Sequence, residues 1–225
     1  GSGRRDMDER SKARRLHVTF PERGHQTGLY VLPRDAAMPP AYQQAPIVSD
    51  YFRYCEEQKK QRKGEWSRVT GSPGVVFPNA ALHPRQPRTI AVLHPRGPHH
   101  TEMWRWYFVD RDAPPEVKDF LRQYYIRYSG PGGLTEQDDM ENWNYAHSAS
   151  RGTIARRYPY CYEQGLGDES PDFQIDGIEF PGLVTELTDS KSSEDNLRNL
   201  YRRWAQFMDA DSWDELATWR NGGGK

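Results

Sequence analysis

The sequence predicts an α+β domain built on an antiparallel sheet, and three observations carry that expectation. Short β-type runs are interrupted by helical stretches with no strand–helix–strand rhythm. The turn Pro95-Arg96-Gly97-Pro98 joins two of those runs as a hairpin. Residues 101–109 alternate cleanly, with Trp104, Trp106 and Phe108 on one face and Thr101, Met103, Arg105 and Tyr107 on the other.

Taken in order, residues 1–15 are charged and read as a flexible N-terminal segment. Strands are expected at 16–20, ended by Pro21, and at 28–32. The Pro/Ala-rich stretch 33–46 reads as an irregular connection, followed by a helix over 51–63. That helix has Ser49 or Asp50 as N-cap, Lys and Arg in its last turn and Gly64 beyond its end. Further strands are expected at 74–77, 89–94 and 101–109.

A helix starts at Pro114-Pro115, because proline suits a first turn, and carries Val117, Phe120, Leu121, Tyr124 and Tyr128 at helical spacing. Gly130-Pro131-Gly132-Gly133 breaks it, and a second helix runs over about 135–150. Residues 158–190 are loop-rich, with short strands at best. Two helices close the chain. The first places Leu197, Leu200, Tyr201, Trp204, Phe207 and Met208 on one face; the second opens on the capping box Ser212-Trp213-Asp214-Glu215 and stops at Asn221-Gly222. The expected organisation is one domain over 16–220 with a tail at 221–225.

At 225 residues the chain has room for one domain with a sizeable core. Its formal charge of -1 gives no electrostatic pull toward nucleic acid or an anionic membrane. Seven Trp and thirteen Tyr imply a bulky core, an aromatic pocket or both. Cys55 and Cys161 share no short spacing and read as reduced thiols of a cytoplasmic protein. No apolar run approaches the roughly 18 residues that span a bilayer. The opening Gly1-Ser2-Gly3-Arg4-Arg5 reads either as an expression scar or as the cut end of a longer protein.

The densest chemistry is Gly132-Gly133-Leu134-Thr135-Glu136-Gln137-Asp138-Asp139-Met140-Glu141-Asn142-Trp143. One reading is structural: acids in a first turn face the positive end of the helix dipole, with Thr135 as cap. The other is functional. Polar residues 136–139 cover every side of one turn, so one must face inward, where an unpaired carboxylate is costly and a metal would satisfy it. A carboxylate with two imidazoles is the facial set that holds Fe(II) and leaves positions open for dioxygen.

This stretch resembles the Asp-containing motif of Rieske-type aromatic-ring-hydroxylating dioxygenase alpha subunits. His94-Pro95-Arg96-Gly97-Pro98, Trp104 and Val109-Asp110-x-Asp112-Ala113-Pro114 resemble the preceding strand pair and helix start, and Phe77-Pro78 the strand before. The Trp204 helix and Ser212-Trp213-Asp214 resemble the closing segment, so the likeness covers roughly 16–220. The resemblance implies a helix-grip fold and a catalytic-domain fragment with Asp139 as iron ligand, Asp138 and Asn142 supporting it. It places the two His ligands, and the 2Fe-2S Rieske cluster, upstream of this chain. Two scattered cysteines cannot assemble that cluster here. His94, His99 and His100 flank a turn and read as scaffold, His147 as a packing or hydrogen-bonding residue; His17, His25 and His83 show no partner pattern.

The same resemblance implies a substrate cavity lined by Ser129, Leu134 and Thr135, with Ala81, Leu82, Ile90 and Val92 beside them. Ser129 and Thr135 stand where biphenyl-type members carry bulky aromatics, which implies a wider, more polar cavity. The implied reaction is dioxygen-dependent cis-dihydroxylation or monooxygenation of an aromatic ring at mononuclear Fe(II). Electrons would come from NAD(P)H through a reductase, a ferredoxin and the Rieske cluster, in a trimer of alpha subunits with or without beta subunits. The alternatives are a non-catalytic helix-grip module that carries a hydrophobic ligand, and a degenerate subunit. Trp104, Trp106 and Phe108 are expected in the core, Arg105 is expected to need a carboxylate or a subunit contact, and the Arg-rich run 196–203 reads as a solvated face.

Overall fold

A computed structural model describes residues 12–34, 36, 45–85 and 87–216. In chain order these form β1 (Arg14–Phe20), β2 (His25–Val31), α1 (Pro46–Lys63), β3 (Val69–Val76), β4 (Ala80–His83), β5 (Thr89–Pro95), β6 (Thr101–Tyr107), α2 (Pro115–Ser129), α3 (Glu136–Ser150), β7 (Gln174–Ile175), β8 (Ile178–Glu179), β9 (Leu183–Leu187) and α4 (Asp195–Asp209). Seven strands make one antiparallel sheet in the order β6-β5-β4-β3-β2-β1-β9, and β7-β8 is a separate hairpin. The α+β antiparallel class is as the sequence predicts.

Two apolar clusters hold the layers. Leu16, Val18, Val31 and Val184 from β1, β2 and β9 pack on Ile175, Ile178 and Phe180 of the hairpin segment. The hairpin turns at Asp176-Gly177, with φ of 51° and 81°. Two consecutive left-handed residues suit the twist of a two-residue hairpin, and Asp-Gly supplies them at low cost. The second cluster joins α1 to α2 through Val48, Phe52, Ala113, Val117 and Leu121. Tyr107 reaches it from β6: its hydroxyl donates to the Leu121 carbonyl at 2.9 Å and its ring stacks on Tyr125.

Several elements differ from expectation. Arg14 and Arg15 are strand residues, held to β9 and the following turn by ion pairs with Glu186 and Asp189. α1 starts at Pro46 with Ala45 as N-cap, one turn before Ser49, because Val48 there fills the second cluster. β4 and β9 were not expected as sheet strands; both are short and owe their state to partners on either side or at the edge. The capping box forms in part, with Ser212 Oγ donating to Glu215 and Glu215 accepting from the Asp211 amide. Residues 213–216 are turns, and the remainder of that expected helix lies outside the described residues, as do 1–11 and 221–225.

The Trp104–Trp106–Phe108 stripe is not core. Trp104 is 50% exposed and Trp106 45%. Alternation defines two faces of β6 but not which one the helices cover. The covered face carries Arg105 and Tyr107, whose long side chains reach across to α2 and α3. α4 buries its polar side: Asp195, Asn199 and Arg203 are its buried residues, whereas Leu197, Tyr201, Trp204 and Met208 of the apolar face are exposed. His17 on β1 meets Asp195 at 2.6 Å, and Asn199 donates to the His25 carbonyl at 3.0 Å. The run 196–203 is therefore no solvated face, since Arg203 is buried and Arg198 grips the Tyr162, Gln164 and Gly165 carbonyls and Glu169.

Candidate functional site

The site is built on the break between α2 and α3. Gly130 caps α2, and Gly133 N donates to the Gly130 carbonyl at 2.8 Å to fold the loop back. A Cβ on Gly133 would stand 2.7 Å from the Tyr128 carbonyl, so this turn admits only glycine. Thr135 is the N-cap of α3, but its hydroxyl donates to the Tyr128 carbonyl at 2.6 Å and caps nothing. Gln137 Nε2 donates to the Gly130 and Pro131 carbonyls, tying the first turn of α3 to the same loop.

The carboxylate that turns inward is Glu136. Arg105, from the helix-covered face of β6, grips it with its two terminal guanidinium nitrogens, each at 2.8 Å, and Ser129 Oγ donates to Oε1 at 3.2 Å. The two charged side chains are only 18% and 20% exposed, so solvent screens the pair weakly. Arg105 thus has the carboxylate its mid-strand place demands. The expectation that one acid of the first turn faces inward holds, but the residue is Glu136. Asp138, Asp139 and Asn142 are exposed, and α3 has no buried residue.

Among the described residues, no three His, Cys, Asp or Glu side chains converge. The Asp139 carboxylate has no hydrogen bond or ion pair among them. Chemically, then, Asp139 fits one place of a carboxylate–imidazole iron set: a hard oxygen donor with no competing cation. The imidazole places are not filled beside it. His94 packs on Trp104, and the His99 and His147 rings lie 5.8 Å apart. His83 Nδ1 bonds the Arg85 and Pro87 carbonyls, His25 Nδ1 accepts from the Phe77 amide, and His17 holds Asp195.

The expected cavity residues do not all meet. Ser129, Leu134 and Thr135 share the loop before α3, with Leu134 projecting into solvent. Leu82 pairs with Ile90 and Ile90 with Trp106, while Val92 pairs with Trp104. Directly paired residues share a face, so Leu82, Ile90 and Val92 lie on the Trp side, away from Arg105 and α3. Ala81, paired through Ala91 to Arg105, is on the α3 side. The Ser129 and Thr135 hydroxyls are both donated within the protein, which removes them as free donors to a ligand. The groove between α1 and α2, lined by Ile47, Phe120, Gln123 and Arg127, contains none of these residues.

Elsewhere, Asp110 accepts from Tyr51 at 2.9 Å and from Arg88 at 3.0 Å. Burial, then the Asp110 bond, pushes the Tyr51 phenol up. Burial likewise pushes the Cys55 thiol up, which leaves it a poor nucleophile. Both cysteines are free. No helix among the described residues is long and apolar enough to cross a membrane.

Comparison with known proteins adds a sequence signature to this geometry. Residues 23–210 match the family described as "Ring hydroxylating alpha subunit (catalytic domain)". The chain is 33% identical over 198 residues to the biphenyl 2,3-dioxygenase alpha subunit of Rhodococcus jostii, covering 86% of this chain and 40% of that protein. It is 32% identical over 202 residues to the benzene 1,2-dioxygenase alpha subunit of Pseudomonas putida, covering 88% and 42%. The chain therefore spans about two-fifths of the length of these relatives. Naphthalene 1,2-dioxygenase with indole in its active site superposes with a TM-score of 0.70 at 21% identity, over 92% of this chain and 44% of that one. The Rhodococcus naphthalene 1,2-dioxygenase gives 0.65 at 25% identity, over 90% and 47%.

Proposed function

Because this chain belongs to the ring-hydroxylating dioxygenase alpha-subunit family, we propose that it is part of the catalytic domain of an oxygenase that cis-dihydroxylates an aromatic ring. The observation that carries the reading is the Asp139 carboxylate: uncompensated, one turn into a helix whose start is clamped, within the region matched by the family. Asp139 supplies the carboxylate ligand of a mononuclear Fe(II), and two histidines of the longer protein, upstream of this chain, supply the imidazoles. When bound, the iron provides dioxygen activation.

The chain's own residues then have three tasks. Glu136, Arg105 and Ser129 fix the first turn of α3. Asp138 and Asn142, on exposed sides of the same helix, support the ligand environment. Leu134 and Thr135, with Ala81 from the sheet, border the substrate. Because the Ser129 and Thr135 hydroxyls already donate within the protein, they remain only as acceptors, and the substrate is an arene larger than one benzene ring or one carrying a donor substituent that reaches them. Electrons reach the iron from NAD(P)H through a reductase, a ferredoxin and a Rieske 2Fe-2S cluster. The assembly is a trimer of alpha subunits, with or without beta subunits.

The test is turnover by the full-length oxygenase with its reductase and ferredoxin, on a panel from toluene to a three-ring hydrocarbon under labelled dioxygen. The expected product is a cis-diol with both oxygens labelled, formed fastest from a two- or three-ring arene. Unlabelled product, or no oxygenation of any arene by iron-replete enzyme, contradicts the proposal.

A further inference from the structure

The proposed ligand stands on a helix that buries nothing. α3 has no buried side chain, so apolar packing does not set its direction. Glu136 joins the first turn of α3 to the sheet, while near its far end the His147 ring lies 5.8 Å from that of His99 in the β5–β6 turn. The Arg105–Glu136 fork is a two-point ion pair between the first turn of α3 and a strand of the sheet. Gln137 also restrains the first turn, but to the loop carbonyls of Gly130 and Pro131, which would travel with the helix.

Two parallel N–H···O bonds from a planar guanidinium fix direction as well as distance, which a single contact does not. Arg105 starts from a strand paired along its whole length with β5, so the fork's base is rigid. Ser129 closes the third side by donating to Glu136 Oε1. Glu136 and Asp139 are three residues apart, hence neighbours on one helix surface, about 4.5 Å along the axis. A turn anchored at Glu136 carries the Asp139 carboxylate with it.

We infer that Arg105 and Glu136 are a positioning pair that sets where the Asp139 carboxylate stands relative to the sheet, and thereby the iron affinity of the site. The inference rests on Asp139 being the ligand. A sub-ångström drift of one ligand weakens a site whose other two ligands are fixed, and outer-shell partners of metal ligands commonly govern 10- to 100-fold in affinity. No proton moves in this role, and neither residue touches substrate.

The experiment uses the full-length oxygenase, stripped of mononuclear iron with its Rieske cluster retained, and titrated anaerobically with ferrous iron. Glu136→Gln keeps the side-chain shape and removes the charge; Arg105→Lys keeps the charge and removes the fork. Iron affinity should fall at least about tenfold in the first and less in the second, with the cluster spectrum and thermal midpoint retained. The exchange Arg105→Glu with Glu136→Arg should recover most of the loss. Should Glu136→Gln fail to fold, Arg105→Lys and the exchange decide the question. Unchanged iron affinity in the folded variants, while Asp139→Ala has lost iron, overturns the positioning role alone. Iron retained in Asp139→Ala overturns the ligand reading on which it rests.

Discussion

At the scale of single residues, the sequence stated needs more reliably than partners. Arg105 needs a carboxylate wherever a strand alternates as β6 does, and it has one. That the partner is Glu136 depends on how α3 is set against the sheet, which no spacing encodes. His17 shows the converse. It stands in a strand with no partner pattern, yet it meets Asp195, 178 residues away, at 2.6 Å. Burial alone would raise the Asp195 carboxyl, but the hydrogen bond and charge of His17, together with hydrogen bonds from Ser193 and Thr185, outweigh it and hold it below the usual range. A carboxyl depressed on folding contributes stability that is present above its unfolded value, about 3.9, and is lost as pH falls through the folded value. Asp195→Asn should therefore cost about 1.5–3 kcal/mol at neutral pH and flatten the acid limb of stability. Urea unfolding of both forms between pH 7 and pH 3 checks this; equal pH dependence in the two contradicts it.

At the scale of elements, periodicity located helices and strands but did not say which face each one buries. The apolar positions of α4 are evenly spaced in sequence, yet the helix lies on β1 and β2 through Asp195, Asn199 and Arg203. The sheet beneath offers polar residues, with Thr19 and Thr185 both buried, so a polar face docks there. The Trp stripe of β6 is a parallel case: alternation sets its face, but the structure leaves that face exposed. β9 could not be read because five residues at a sheet edge owe their state to β1, whereas the Asp176-Gly177 turn was a legible hairpin signal between Ile175 and Ile178. The polar docking of α4 has a measurable consequence. Trp204→Gln should change stability by less than about 0.5 kcal/mol, as exposed substitutions do, and Asn199→Ala should cost about 1–3 kcal/mol by stranding buried polar groups. The opposite ranking in thermal or urea unfolding would return the apolar stripe to the core.

At the scale of the molecule, class and family were legible and the complete site was not. Several ordered motifs, from Phe77-Pro78 to the Trp204 helix, lie within the 23–210 match that shows the family; Ser212-Trp213-Asp214 lies just beyond it. A facial iron site draws its ligands from separated parts of a chain, and here the chain spans about two-fifths of its relatives. The sequence offers only a candidate carboxylate for such a site, and its register within Asp138-Asp139 rests on resemblance, not on burial, since both are exposed. In the proposed function the seven-stranded sheet and clamped α3 frame one ligand, and the central claim is that this ligand is Asp139. It is tested most directly by mononuclear iron content in the full-length oxygenase, with cluster iron counted separately. Asp139→Ala should lose the mononuclear iron and keep the Rieske spectrum, while Asp138→Asn keeps both. Iron retained in Asp139→Ala, or lost instead in Asp138→Asn, would contradict the account.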